Sequence, residues 1–246
     1  MLSLGQGVKV LAYQAVFKRY ELKYLLSVKK QERLLRVIEP YMLLDQYGCT
    51  TIRNLYFDTP DYRLIRHSVE RPVFKEKLRL RSYRQLSAEE DAFVEIKRKY
   101  RSQVYKRRLA MPEGNAVRWL RHGTDLPPDS QIGREIEYMR SYYKTLQPQV
   151  YLSYDRCAYD CRQGGDFRIT FDRNICARRD DLSLSAETGG TLLLPEDRVL
   201  MEVKTSGAMP LWLVNWLSQE KIYKTSFSKY GTAYRLLIYE GESHYV

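Results

Sequence analysis

Charged residues recur at every second position in five separate stretches of this chain. Lys75, Lys77, Arg79 and Arg81 alternate with residues that include Phe74, Leu78 and Leu80. Glu95, Lys97 and Lys99 are interleaved with Val94 and Ile96, and Glu202 and Lys204 with Met201 and Val203. Glu21 and Lys23 stand among Tyr20, Leu22 and Tyr24, while Arg168, Thr170 and Asp172 alternate with Phe167, Ile169 and Phe171. In an extended strand, residues i, i+2 and i+4 share a face. Each stretch therefore offers one charged face and one apolar face. A solvated sheet face accounts for one such strand taken alone. Here the pattern recurs in five strands, consists almost entirely of Arg, Lys and Glu, and three times places a Glu two residues before a Lys.

So many neighbouring cations cost self-repulsion and desolvation unless an anion neutralises them. A polyphosphate chain or a nucleoside triphosphate carries that charge on oxygens matched to the Arg fork and the Lys point charge. Glu21, Glu95 and Glu202 either pair with the neighbouring cations or hold Mg²⁺ or Mn²⁺, which take carboxylate oxygens. Phosphoryl transfer fits such a site, because positioning and charge neutralisation do most of its catalysis without a protein nucleophile. Other chemistries lack their residues. The three His residues, His67, His122 and His244, have neither metal nor triad spacing, and no Gly-rich run precedes a Lys-Ser/Thr pair. No Ser occupies a nucleophile-elbow context.

The elements that must position these side chains are mostly strands. Alternation predicts strands over 17–26, 50–57, 73–84, 92–100, 103–111, 150–159, 167–172, 176–179 and 199–205. Helical spacing and caps predict helices over 28–39 behind Ser27, 59–66, 115–122, 130–146 and 211–220. Trp212, Trp216 and Leu217 on the last of these are expected to pack on the fold. Many strands with few long helices between them imply an α+β, mainly β, antiparallel arrangement. Should the sheet close, its charged faces would converge on one lumen.

At 246 residues the chain fits one domain with a substantial core. Its formal charge of +11 predicts an anionic partner. Nucleic acid is the weaker candidate, since the 21 Tyr residues come with no stacking motif or recognition helix. No apolar run reaches membrane-spanning length, and residues 1–16 do not read as a secretory leader. Cys49, Cys157, Cys161 and Cys176 are expected to be reduced thiols, which makes a cytoplasmic protein the simplest reading.

An ordered set of short motifs narrows this further: Glu21-Leu22-Lys23, Tyr56-Phe57-Asp58-Thr59, Lys77-Leu78-Arg79-Leu80-Arg81, Glu95-Ile96-Lys97, Tyr154-Asp155-Arg156, Arg168-Ile169-Thr170-Phe171-Asp172, Glu202-Val203-Lys204 and Ser228-Lys229-Tyr230. In this order they resemble the VTC domain, the catalytic domain of polyphosphate polymerases within the triphosphate tunnel metalloenzyme superfamily. The likeness runs from about residue 17 to 234. It implies a closed antiparallel eight-stranded tunnel barrel with a charged lumen and helices packed outside, and Mn²⁺ or Mg²⁺ as cofactor. It implies transfer of the ATP γ-phosphoryl group to a polyphosphate chain. Lys23, Arg79, Arg81, Lys97, Arg156, Arg168 and Lys229 would act on the phosphates, with Lys77, Lys204 and Arg66 as further phosphate contacts. Arg66 is preferred over Arg63 and Arg71 for an arginine that precedes the Arg-x-Arg strand in the polymerases. Glu202, with Glu95 and Glu21, would bind metal. The chain carries neither the accessory domain nor the membrane span of the eukaryotic polymerase, so coupling to translocation is not implied, though a membrane partner stays open. Hydrolysis of tripolyphosphate or a nucleoside triphosphate, and non-catalytic polyphosphate sensing, are the alternatives.

Overall fold

The computed structural model describes residues 20–101 and 103–239. The leader reading of residues 1–16, the first positions of the strand expected from residue 17, and His244 lie outside the described residues. The order of elements is β1 (Tyr20–Ser27), α1 (Val28–Ile38), β2 (Met42–Asp58), α2 (Arg63–Val69), β3 (Phe74–Ser82), β4 (Asp91–Tyr100), β5 (Gln103–Pro112), α3 (Glu113–His122), α4 (Gln131–Tyr143), β6 (Gln147–Cys161), β7 (Arg168–Arg178), β8 (Thr191–Leu192), β9 (Arg198–Thr205), α5 (Leu211–Gln219), β10 (Lys224–Thr225) and α6 (Lys229–Tyr234), followed by a π-helical turn, Arg235–Tyr239.

Local chemistry sets the helix ends. Ser27 Oγ accepts the Lys30 amide at 3.3 Å and Ser130 Oγ the Gly133 amide at 3.0 Å, each satisfying a free donor of a first turn. Gly123 ends α3 at φ +75°, a left-handed conformation that costs other residues more. The strands 167–172 and 176–179 expected separately are one continuous strand, β7, and β2 starts earlier than the alternation implied.

All strand pairs are antiparallel, and the ten strands among the described residues form one sheet ordered β10-β1-β9-β7-β6-β2-β3-β4-β5, with β8 attached to β7. The expected closed eight-stranded barrel does not form. Closure would need a backbone ladder from the β5 side to β1. The free edge of β1 is taken by β10 through Lys23↔Thr225 and Tyr24↔Lys224, and the free edge of β4 is taken by β5. Among the described residues no ladder crosses the seam, and the Lys97 and Glu21 side chains meet across it.

The sheet nevertheless curls. β1 and β4 stand six places apart in the strand order. Neighbouring strands lie about 4.8 Å apart, so a flat sheet would separate them by roughly 29 Å. Instead Lys97 Nζ and Glu21 Oε2 meet at 3.4 Å.

Three apolar clusters hold this shape. On the convex side, α3 and α4 bury Trp119, Ile136 and Met139 against Leu78, Leu80 and Val94. Also outside, α1 and α5 bury Leu34, Ile38, Leu213 and Trp216 against Val199, Met201 and Val203. Trp216 and Leu217 are buried as expected, and Trp212 stacks on Tyr41 with centroids 4.7 Å apart. The third cluster lies on the concave side. There α6 and the π-helical turn set Tyr230, Ala233 and Ile238 against Ile52, Tyr56, Val150, Leu152 and Leu200. The inner face is thus part charged and part filled with apolar side chains.

The thiol expectation is corrected for one pair. Cys49 of β2 and Cys157 of β6 are register partners, 4.1 Å apart at Cα, and form a disulfide across 108 residues of sequence. Cys161 and Cys176 are free. No local spacing signals a bond of that separation. The cytoplasmic reading leaned on reduced thiols and loses that support.

Candidate active site

Burying Leu78 and Leu80 in the convex core turns Lys77, Arg79 and Arg81 of β3 to the concave side. Register then sets Arg79 opposite Glu95 and Lys77 opposite Lys97 on β4. Glu95 is buried and receives Arg79 through Nε at 2.9 Å and Nη2 at 2.7 Å. Lys106 Nζ of β5 lies 2.6 Å from its other oxygen, and Arg81 Nε stands 3.7 Å away. Arg81 donates to Asn54 Oδ1 at 2.9 Å and to the Tyr154 hydroxyl at 3.1 Å, and Arg79 to the Tyr56 hydroxyl at 3.0 Å. Burial would raise the Glu95 carboxyl, but Arg79, Arg81 and Lys106 hold it far below the usual carboxylate range. Of the two roles open to Glu95 from the sequence, pairing is the one its neighbours occupy.

A second centre joins β6, β7, β9, β1 and α6. Arg156 faces Asp172 across β6 and β7, with Nε to Oδ1 at 2.6 Å and Nη2 to Oδ2 at 2.7 Å. The same Nη2 reaches Glu202 Oε2 at 3.2 Å. Lys229, first residue of α6, brings Nζ to 2.5 Å from Asp172 and 3.2 Å from Glu202. Lys23 Nζ lies 3.4 Å from both Glu202 and Glu21 and donates to the Phe227 carbonyl at 2.8 Å. Burial opposes the charge on Glu202, yet Lys229, Lys23 and Arg156 outweigh it and keep the carboxyl ionised. Glu21 is drawn down to about 2, Lys97 foremost overcoming the effect of burial. The Tyr154 ring lies under this centre, 4.5 Å from Lys229 Nζ and 5.1 Å from the Arg156 guanidinium. Burial raises its phenol, but Arg156, Arg81 and Lys229 bring it below its ordinary value.

Two lysines stand apart from these pairs. Lys77 Nζ donates to Ser228 Oγ at 3.0 Å, and among the described residues no carboxylate is within ion-pair distance of it. Burial, then Lys97 and Lys23, lower it to about 7. Burial and Arg156 lower Lys204 to about 8, against the pull of Glu202 and Glu21. Both are cations short of counter-charge.

The remaining expected residues lie further out. Arg168 opens β7, with Nη2 2.5 Å from Asp45 and Nη1 3.2 Å from Asp160. Arg66 is exposed on α2, where its Nη1 donates to the Asp61 carbonyl at 3.4 Å. Lys23, Arg79, Arg81, Lys97, Arg156, Arg168, Lys229, Lys77 and Lys204, with the three Glu residues, are brought to the concave face, Arg168 opposite Lys204 in register.

The oxygen-only donors Glu21, Glu202 and Asp172 suit a hard divalent cation in kind. Among the described residues, no group of three or more His, Cys, Asp or Glu side chains could hold an ion alone. A hard divalent cation there would need oxygen ligands beyond these carboxylates.

A family model described as the VTC domain matches residues 18–238. The chain belongs to the VTC domain family. It thereby joins the triphosphate tunnel superfamily, as the ordered motifs implied. Among solved structures, this VTC domain is similar to a candidate adenylate cyclase from Bacillus halodurans at 15% identity and a TM-score of 0.54, covering 87% of this chain and 96% of that one. A second candidate adenylate cyclase, from Vibrio parahaemolyticus, aligns at 12% identity over 88% and 98% of the two chains with a TM-score of 0.46. At such identities the Bacillus likeness shows a shared fold alone. No curated protein matches the chain.

Sequence reasoning about this VTC domain placed Asp172 on the charged face but left it out of the site, and it missed Asn54, Tyr56 and Lys106. Lys106 had a signal, since Val104, Lys106 and Arg108 alternate along a recognised strand. Tyr56 stood in one of the ordered motifs without an assigned role, and Asn54 had no signal, because their polar atoms matter through Arg79 and Arg81 on the neighbouring strand.

Proposed function

We propose that this VTC domain binds the triphosphate of ATP and a polyphosphate chain against its charged concave face, and transfers the γ-phosphoryl group to the chain end. The observation that carries this reading is the excess of cations there. Glu21, Glu95, Asp172 and Glu202 are each engaged by Lys or Arg, and among the described residues Lys77 and Lys204 have lowered proton affinity and no carboxylate within ion-pair distance. A multiply charged phosphate would supply the missing negative charge and restore both lysines to full protonation.

In the reaction, a terminal polyphosphate oxygen attacks Pγ, and the bond from Pγ to the β,γ-bridging oxygen breaks with its electron pair leaving on ADP. Lys77, Lys204 and Lys23 neutralise charge on the phosphate oxygens, which lowers the barrier most where charge develops. Arg79, Arg81 and Arg156 are held by Glu95, Asn54 and Asp172, so their forks are oriented before the substrate arrives. Glu202 and Glu21 are the residues that would hold Mg²⁺ or Mn²⁺. Such an ion would supply further neutralisation of the charge on the phosphoryl group.

Incubation of the pure protein with ATP and Mn²⁺ or Mg²⁺, followed by gel separation of chains and assay of free phosphate, tests this. Chain growth with ADP release is the expected result. Free phosphate without chains would assign hydrolysis instead.

A further inference from the structure

β2 advances from Leu44 to Cys49 while its partner β6 advances only from Tyr159 to Cys157. Residues 45–48, set against Ala158 alone, bulge out of the ladder, and Gly48 at φ +62° lets the chain turn back into it. The Cys49–Cys157 disulfide pins the base of the bulge. Asp45 Oδ1 accepts the Tyr47 amide at 3.0 Å, which orients the carboxylate. Its Oδ2 reaches Arg168 Nη2 at 2.5 Å, although β6 lies between β2 and β7. Only 7% of the Asp45 side chain is exposed, against 39% of Arg168. Arg168 shares its side of β7 with Thr170 and Asp172, so the bulge crosses β6 on the concave side, at the end where β7 begins.

We infer that Asp45 is an acidic latch on Arg168, a resident carboxylate in the position that an oxygen of a long phosphate chain would take. The inference rests on the phosphate-binding reading above and adds a length selection to it. Carboxylate and phosphate compete for the same guanidinium fork. A short anion that settles between Lys77 and Lys23, short of Lys204 and its register partner Arg168, leaves the latch alone. A chain long enough to reach Arg168 must displace Asp45, and the lost pair offsets part of the new contact. Asp45 thus weakens long chains selectively.

Asp45→Asn tests this, because the amide oxygen still accepts from Tyr47 while the charge is lost. Dissociation constants for orthophosphate, tripolyphosphate and long-chain polyphosphate would be measured by calorimetry on the full chain, the variant, and Asp45→Asn/Arg168→Gln. The variant should bind long-chain polyphosphate about tenfold more tightly, the worth of one charge-assisted hydrogen bond. Orthophosphate affinity should not change, and the double variant should lose the gain. Asp45→Ser, with its melting temperature as a check on folding, must act in the same direction. An equal gain for orthophosphate, or no gain in either folded variant while the wild type binds long chains, overturns the latch. If neither wild type nor variant binds polyphosphate, the phosphate reading itself has failed and the latch falls with it.

Discussion

Arg156 and Asp172 are joined by two hydrogen bonds of 2.6 and 2.7 Å across β6 and β7, and Lys229 from the C-terminal helix closes on the same carboxylate. The Asp172 side chain is fully covered, so removing its charge leaves two desolvated cations to share Glu202. Asp172→Asn should lower unfolding free energy by about 3–5 kcal/mol, the usual cost of breaking a buried pair from one side. Urea unfolding at neutral pH reads this directly. The folded carboxyl is depressed by Arg156 and Lys229 against burial, so its contribution is complete above the ordinary carboxylate range and is lost as pH falls through the folded value. The variant and wild type should therefore converge in strong acid.

Lys77 gives a dependence of the same sign in a higher pH window. Its folded value of about 7 lies below the ordinary 10.5, so between these pH values the unfolded chain holds a proton that the folded chain has released. Its contribution to stability rises with pH across that window. Anion binding needs the protonated form, so tripolyphosphate affinity should fall as pH rises through 7 and, with Lys204, through 8. Calorimetric titrations over this range should show the fall, with a flatter curve and weaker binding at pH 6 for Lys77→Met. A pH-independent wild-type affinity would show that these lysines do not meet the anion.

Glu202 is where Lys23, Arg156 and Lys229 converge. Glu202→Gln should reduce turnover on the order of 100-fold, the scale of one lost electrostatic group in an active site. Polyphosphate binding should persist, because the cations remain. Parallel rate and binding measurements decide it. A wild type that binds tightly and never turns over with any divalent metal would favour a sensor.

The disulfide is checked by counting thiols. Of four Cys residues, Cys161 and Cys176 should titrate without reductant and all four after reduction. Reduction, or Cys49→Ser, should cost about 2–4 kcal/mol in urea unfolding, since the bond closes a long loop of the unfolded chain.

Much of the charged face was legible in the chain itself. Alternation is local: once Leu78 and Leu80 are buried, the geometry of a strand forces Lys77, Arg79 and Arg81 to the other side. The five ladders and the order of their motifs were therefore enough to reach the family, the antiparallel sheet and most of the residues that meet on the concave face. The helices capped by Ser27 and Ser130 were legible for the same reason, their signals lying within one turn.

The tertiary structure alone decided which charges meet and where the sheet stops. Glu21 touches Lys97, and Asp172 touches Lys229, because the sheet curls and α6 returns to its inner side. No spacing along the chain encodes either contact. The bulge at 45–48, the Cys49–Cys157 bond and the occupation of the β1 edge by β10 are likewise long-range outcomes. The edges of β1 and β4, taken by β10 and β5, leave a curled open sheet in place of the expected closed barrel, and the bulge brings Asp45 to Arg168 at its rim. The sequence by itself determined what each strand presents on its two faces, since that follows from backbone geometry within a few residues. Partners across the sheet depend on register, twist and edge pairing, which only the assembled chain sets.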